Sequence, residues 1–113
     1  MHEIIIYHNS RCSKSRETLA LLQEKGYEFT IIEYLKTPLT KEQLNDLKAH
    51  FTLQEFVRTN EPVFKNLGLS LENEEQLMQA MVTEPVLMQR PIVTYKGKAI
   101  IGRPPEKVLQ LFI

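Results

Sequence analysis

Apolar positions recur at two different spacings along the chain, and the change between them divides it. Ile4-Ile5-Ile6 is a short unbroken apolar run of the kind that forms a buried strand. From Lys14 to Lys25 the spacing becomes helical, with Thr18, Leu19 and Leu22 on one face. Gly26 suits the residue just past that helix, with Lys25 in its last turn. Phe29-Thr30-Ile31-Ile32 reads as a second strand. Strand, helix and strand within about thirty residues make a βαβ unit with parallel strands and a right-handed crossover.

The middle, roughly 40–89, is predicted to be helical. Thr37-Pro38-Leu39-Thr40 is a turn leading into a helix start. Thr40 is a good N-cap, and Gln43 completes a capping-box pattern ahead of Leu44, Leu47 and Phe51. Thr52 and Glu55 repeat the pattern before Phe56 and Val57. Glu61 to Leu69 carries Val63, Phe64 and Leu67 and is read as a short helix ended at Gly68. Glu74 to Val82 carries Leu77, Ala80 and Met81 at helical spacing. Met78, Met81 and Met88 are read as gap-filling core, because the flexible thioether adapts to irregular space.

Alternation returns at Pro91. Ile92-Val93-Thr94-Tyr95, the pair Lys96-Gly97 and Lys98-Ala99-Ile100-Ile101 spell a β-hairpin. Gly102-Arg103-Pro104-Pro105 breaks it. A last helix is expected over Glu106 to Phe112, packing Val108, Leu109 and Phe112 on the sheet. The outline is β-α-β, a helical insertion over about 40–89, then β-β-α around a mixed four-stranded sheet. That is the α/β layout of the thioredoxin fold, expected as a single domain over 1–113.

Composition narrows the function classes. The 113 residues carry 14 Lys+Arg and 14 Asp+Glu, so no basic field recruits nucleic acid and no acidic tail is present. No apolar run approaches membrane-spanning length. One cysteine cannot make an internal disulfide, and nothing resembles a signal peptide, so the cytoplasm is the expected location. His2, His8 and His50 are scattered, and no metal site or bound cofactor is expected.

The single cysteine carries the candidate chemistry. Cys12 sits in Tyr7-His8-Asn9-Ser10-Arg11-Cys12-Ser13-Lys14-Ser15-Arg16, between the first strand and the first helix. A helix N-terminus presents unpaired N–H groups and the positive end of the dipole, which favour an anion. A thiolate is such an anion, so the position predicts a lowered thiol pKa, helped by Arg11, Lys14 and Arg16. A free cysteine is often only a small buried hydrophobe, but this polar, basic setting suits a reactive one.

Three other arginines have distinctive settings. Arg58 follows the amphipathic segment Leu53–Val57, Arg90 precedes Pro91, and Arg103 lies between Gly102 and Pro104. Each could be a solvated surface cation; three guanidinium forks converging on a helix N-terminus would bind a tetrahedral oxyanion.

With these residues the chain resembles the glutaredoxin-dependent arsenate reductase family, of thioredoxin-like fold. The resemblance runs from about Ile4 to Phe112. It rests on His8-Asn9, Cys12-x-x-Ser15-Arg16-x-Thr18-Leu19, Tyr34-Leu35-x-Thr37-Pro38, Arg58-x-x-Glu61-Pro62, Leu67-Gly68-Leu69, Arg90-Pro91-Ile92-Val93 and Arg103-Pro104. The run Arg-Cys-Ser-Lys-Ser-Arg-Glu-Thr-Leu is most similar to a small proteobacterial branch of that family.

The resemblance implies Cys12 as nucleophile toward arsenate and Arg58, Arg90 and Arg103 as the oxyanion-binding set. It implies support of the thiolate by His8 and Ser15, with Asn9 and Arg16 in the same motif, and a cis bond before Pro91. Glutathione is the implied co-substrate and glutaredoxin the implied partner, acting on a monomer. One departure stands out: reductases of the family typically carry Cys-Gly-Thr-Ser, where this chain has Cys12-Ser13-Lys14-Ser15.

Three other readings share part of this pattern. Spx-type regulators of the same superfamily bind RNA polymerase and usually carry Cys-x-x-Cys, but Ser15 stands at the second position here, and they lack the Arg103-Pro104 pair. A low-molecular-weight phosphatase needs Cys-x5-Arg, and the sixth position after Cys12 is Thr18. A glutathione-linked thiol transferase would share the nucleophile.

Overall fold

The computed structural model describes residues 3–113, so His2 lies outside the described residues. The chain divides into two compact units. One contains the stretch up to Thr37 together with Arg90–Ile113, and the other is Pro38–Gln89.

The first unit holds the sheet. Its elements are β1 (Ile5–Tyr7), α1 (Ser13–Glu24), β2 (Thr30–Ile32), β3 (Ile92–Tyr95) and β4 (Lys98–Ile101), followed by a 3₁₀ helix over Pro105–Phe112. The four strands lie in the order β2-β1-β3-β4. β1 and β2 are parallel, and β1–β3 and β3–β4 are antiparallel. This is the mixed thioredoxin-like sheet expected from the order of elements.

Two turns set this geometry. Gly26, with φ +78°, reverses the chain after α1 in the left-handed region that glycine adopts without a Cβ clash. Lys96 and Gly97 take φ values of 52° and 74°, the paired positive values of a type I′ turn, whose twist matches the flanking strands. With a two-residue loop the register is fixed: Tyr95 faces Lys98, Val93 faces Ile100 and Ile92 faces Ile101.

The core gathers on the face carrying Ile4, Ile6 and Val93, with Leu22 of α1 and Val108 and Leu111 of the 3₁₀ helix. Ile6 and Val93 face each other across β1 and β3. Tyr27 stacks on Phe112 at 4.4 Å between ring centroids, and Tyr95 meets the same ring at 5.1 Å.

The last segment differs from the expected helix. It is 3₁₀, with three residues per turn, so Pro105, Val108 and Leu111 share the buried face. Leu111 therefore fills the place expected of Leu109, which is half-buried.

The second unit is helical: α2 (Lys41–Lys48), α3 (Leu53–Phe56), α4 (Pro62–Asn66) and α5 (Glu74–Thr83), with an unanticipated 3₁₀ turn at Pro85–Leu87. Both capping boxes form. Thr40 Oγ1 accepts the Gln43 N–H at 3.1 Å, and Gln43 Oε1 accepts the Thr40 N–H at 2.9 Å. Thr52 and Glu55 repeat this at 3.2 and 2.9 Å. Each box satisfies two orphan donors of a helix start. α2 packs against α5, and Lys48 pairs with Glu74 at 3.0 Å. Leu44, Leu47, Phe56, Leu77, Met78, Met81, Leu87 and Met88 are buried.

Gly102 follows β4 and packs closely against Thr18 of α1 and Pro91. A Cβ there would lie 2.7 Å from Thr18 Oγ1 and 2.9 Å from Pro91 Cγ. Overpacking a well-filled core typically costs about 1–3 kcal/mol. Gly102→Ala is therefore expected to lower unfolding free energy by about that amount in denaturant titration. An unchanged midpoint and slope would show that the approach has slack.

Candidate active site

Sheet register alone assembles most of the site. Ile92 of β3 is opposite both Tyr7 of β1 and Ile101 of β4. The residues beyond this three-strand rung are thereby brought to one end of the sheet. They are the His8–Cys12 loop after β1, Arg90-Pro91 before β3 and Gly102-Arg103 after β4. The Gly102 N–H donates to the Pro91 carbonyl at 2.9 Å, which carries the hairpin pairing one step further. The bonds Arg90–Pro91 and Arg103–Pro104 are both cis; the first is as expected, and the second was not anticipated.

Cys12 is the N-cap of α1, with extended backbone (φ −98°, ψ 124°). Its N–H donates to Asn9 O and its carbonyl accepts from Arg16 N–H, each at 3.0 Å. The side chain is only 8% exposed. It makes no full capping hydrogen bond, yet the N–H groups of Ser15 and Lys14 act on the sulfur and favour its charged form. Arg103 places a guanidinium N–H donor 3.8 Å from Sγ and donates from the same nitrogen to Arg90 O at 3.2 Å. One arginine thus links the sulfur to the backbone of the other.

Opposing effects set the thiol's acidity. Burial, the largest, pushes the Cys12 pKa up. A hydrogen bond from the Arg90 guanidinium, the Ser15 N–H, the Arg90 charge and the Lys14 N–H together outweigh it, so the pKa ends below its ordinary value. The sequence pointed to Arg11, Lys14 and Arg16 as the local cations. In the structure the Lys14 ammonium lies 3.6 Å from Glu17, and Arg16 donates to Ser10 O at 3.0 Å, pinning the loop.

His8, Asn9 and Ser15 form a buried polar cluster beneath the loop. Ser15 Oγ accepts the Asn9 N–H at 3.0 Å and lies 2.7 Å from His8 Nδ1. Asn9 Oδ1 accepts the Arg11 N–H at 2.9 Å. Burial lowers the His8 pKa, Glu33 raises it and Arg16 lowers it further, with a net lowering. A neutral ring that accepts the Ser15 hydroxyl at Nδ1 carries its proton on Nε2, a tautomer assigned from this network. Ser15 therefore serves the sulfur through its backbone N–H, while its hydroxyl holds His8 and Asn9.

Arg58 belongs to the helical unit and is anchored within it. Its Nε donates to Glu61 Oε1 at 2.9 Å and its NH1 to Gln89 Oε1 at 3.1 Å, while its own N–H donates to Leu87 O at 2.8 Å. Glu61 appeared in the sequence as the start of a short helix and within Arg58-x-x-Glu61-Pro62, with no partner assigned, and Gln89 carried no signal at all. Among the described residues no three His, Cys, Asp or Glu side chains cluster to hold a metal ion, and no helix is long and apolar enough to cross a membrane.

Comparison with known proteins gives a consistent result. The model of the ArsC family matches residues 7–111. The uncharacterized protein YfgD of Escherichia coli (strain K12) is 50% identical over 114 residues, covering 96% of each chain. An arsenate reductase of Neisseria meningitidis serogroup A is 40% identical over 113 residues, covering 96% of this chain and 97% of its own length. Among solved structures, an arsenate reductase from Vibrio cholerae superposes with a TM-score of 0.89 at 42% identity, covering 96% of this chain and 97% of that one. A family match over residues 7–111, with relatives at 40% identity or more over nearly the whole length and the same fold, shows that the chain belongs to the ArsC family.

Proposed function

We propose that the protein is an arsenate reductase that uses glutathione and glutaredoxin as its source of electrons. The observation that carries this reading is the single cysteine at the N-cap of α1, its sulfur facing Arg90 and an Arg103 donor at 3.8 Å. The family membership and the arsenate reductases among its relatives support it.

The Cys12 thiolate attacks arsenate and displaces one hydroxyl, which leaves as water with the proton given up by the thiol, forming a sulfur–arsenic(V) bond. Arg90 and Arg103 neutralise the oxyanion charge that would otherwise repel the thiolate. The resemblance assigns Arg58 to the same oxyanion, and its anchoring by Glu61 and Gln89 limits the entropy lost on binding. Glutathione thiolate then attacks the Cys12 sulfur. The sulfur–arsenic bond breaks with its electron pair remaining on arsenic, As(V) becomes As(III), and the thiol proton ends on an arsenite oxygen. The enzyme is left as a Cys12–glutathione mixed disulfide, which glutaredoxin removes by thiol–disulfide exchange. No step needs a second cysteine in this chain or a bound cofactor, and the cytoplasm supplies the reduced thiols.

Two measurements test the reading. A coupled assay with arsenate, glutathione, glutaredoxin, glutathione reductase and NADPH is expected to show arsenate-dependent NADPH oxidation, abolished in Cys12→Ser. Absence of turnover in the folded wild type with several glutaredoxins would reject arsenate reduction. Calorimetric titration with sulfate or arsenate reads the cradle separately. Losing a charge-assisted hydrogen bond costs about 1.5–3 kcal/mol. Arg58→Ala, Arg90→Ala and Arg103→Ala should each weaken oxyanion binding about ten-fold or more, while Cys12→Ser retains most of it. Equal affinity in wild type and an arginine variant would remove that arginine from the cradle.

A further inference from the structure

A chain with one cysteine can complete disulfide chemistry at that sulfur only with a thiol brought from outside. The first unit has a groove suited to such a molecule. It lies at the carboxyl ends of the two parallel strands, where ligands of α/β sheets commonly bind. One wall is the loop after β1, with His8, Asn9 and Arg11, and the other is the segment after β2, with Glu33, Leu35 and Lys36. The walls are tied by the His8 N–H, which donates to Ile32 O at 2.9 Å. The cavity is about 300 Å³ and open to solvent, at the small end of the range for small-molecule clefts. It reaches Arg11, the residue immediately before Cys12.

The lining has a definite charge pattern. Arg11 and Lys36 are cationic, exposed and on opposite walls. Glu33 stands on the same wall as Lys36, with its carboxylate 3.4 Å from the Lys36 ammonium and its charge acting on His8 of the other wall. Leu35, 37% exposed, adds an apolar surface. Two cations and one carboxylate around a peptide-sized space complement a molecule with two carboxylates and one ammonium. The loop that forms the first wall is held in shape by its own hydrogen bonds, from the Asn9 N–H to Ser15 Oγ and from the Arg11 N–H to Asn9 Oδ1, so the charged side chains are what it offers a ligand.

We propose that this groove seats the tripeptide thiol glutathione beside Cys12, with Arg11 and Lys36 receiving its two carboxylates and Glu33 its ammonium. The assignment rests on the thiol-dependent reading above and adds the surface that selects the thiol. It makes Arg11 and Lys36 specificity residues that touch the co-substrate and not the arsenic oxyanion. Glu33 is the poorer residue to vary, since its charge also acts on His8.

The test compares two thiols on the full chain. For wild type, Lys36→Glu and Arg11→Ala, kcat/KM is measured for glutathione and for 2-mercaptoethanol, which carries neither carboxylate nor ammonium, at saturating arsenate. The ratio of the two is expected to fall about ten-fold in Lys36→Glu and several-fold in Arg11→Ala, as expected for loss of a charge-assisted contact. An unchanged ratio would overturn the proposal, as would variants that lose only the glutaredoxin-dependent step, which would make the groove a protein-docking surface. If no thiol supports turnover, titration with unreactive S-methylglutathione followed by amide NMR separates the two failures. Saturable shifts at Asn9–Arg11 and Leu35–Lys36, lost in Lys36→Glu, would uphold the groove even though the reductase reading fell. No shift there would overturn it.

Discussion

Everything at the end of the sheet is arranged around one ionisable sulfur that is almost out of solvent. Taking a thiolate out of water is costly, and burial alone would keep Cys12 protonated and inert. The structure opposes that cost from three directions: the N–H groups at the start of α1, the Arg90 guanidinium and the Arg103 guanidinium. The balance lowers the Cys12 pKa below its ordinary value. Two of those three sources are arginines that flank a hairpin far along the chain, Arg103 lying 91 residues from Cys12. Tertiary structure, more than the local sequence, therefore decides whether this cysteine reacts.

That dependence explains why the surrounding geometry is tight. Arg103 can reach the sulfur only if β4 ends opposite the start of β3, and the turn at Lys96-Gly97 sets that register. Gly102 lets the chain pass against Thr18 and Pro91 on the way. The His8–Ser15–Asn9 cluster gives the loop a fixed shape with its buried polar groups paired, as groups removed from water require. A neutral His8 also leaves the cationic work to arginines, whose charge does not change over the pH range in which a cysteine titrates.

Much of this was legible in the sequence. A two-residue turn at Lys96-Gly97 counts backward and forward to bring Arg90 level with Arg103, and a strand-to-helix junction places Cys12 at a helix start. Both capping boxes were readable because Thr40-Gln43 and Thr52-Glu55 are local, and local chemistry decides helix starts. The rest depends on packing. The last helix is 3₁₀, and helical spacing alone cannot separate Leu109 from Leu111 when the period itself changes. The family resemblance implied Ser15 near the thiolate but could not say that its hydroxyl would be committed to His8 and Asn9. Gln89, which fixes Arg58, belongs to no motif, and only the folded chain identifies it.

The most direct measurement is the ionisation of Cys12 itself, and no other cysteine complicates it. Alkylation rates by iodoacetamide are followed against pH for the folded chain and for the same chain unfolded in urea. The folded state favours the thiolate, so its inflection should fall below that of the unfolded chain. The sign carries over to stability: the thiolate's contribution is complete above the unfolded pKa and is lost as pH falls through the folded one. Arg90→Ala should move the folded inflection back up. A folded inflection at or above the unfolded one would contradict a preorganised thiolate and leave burial as the stronger force.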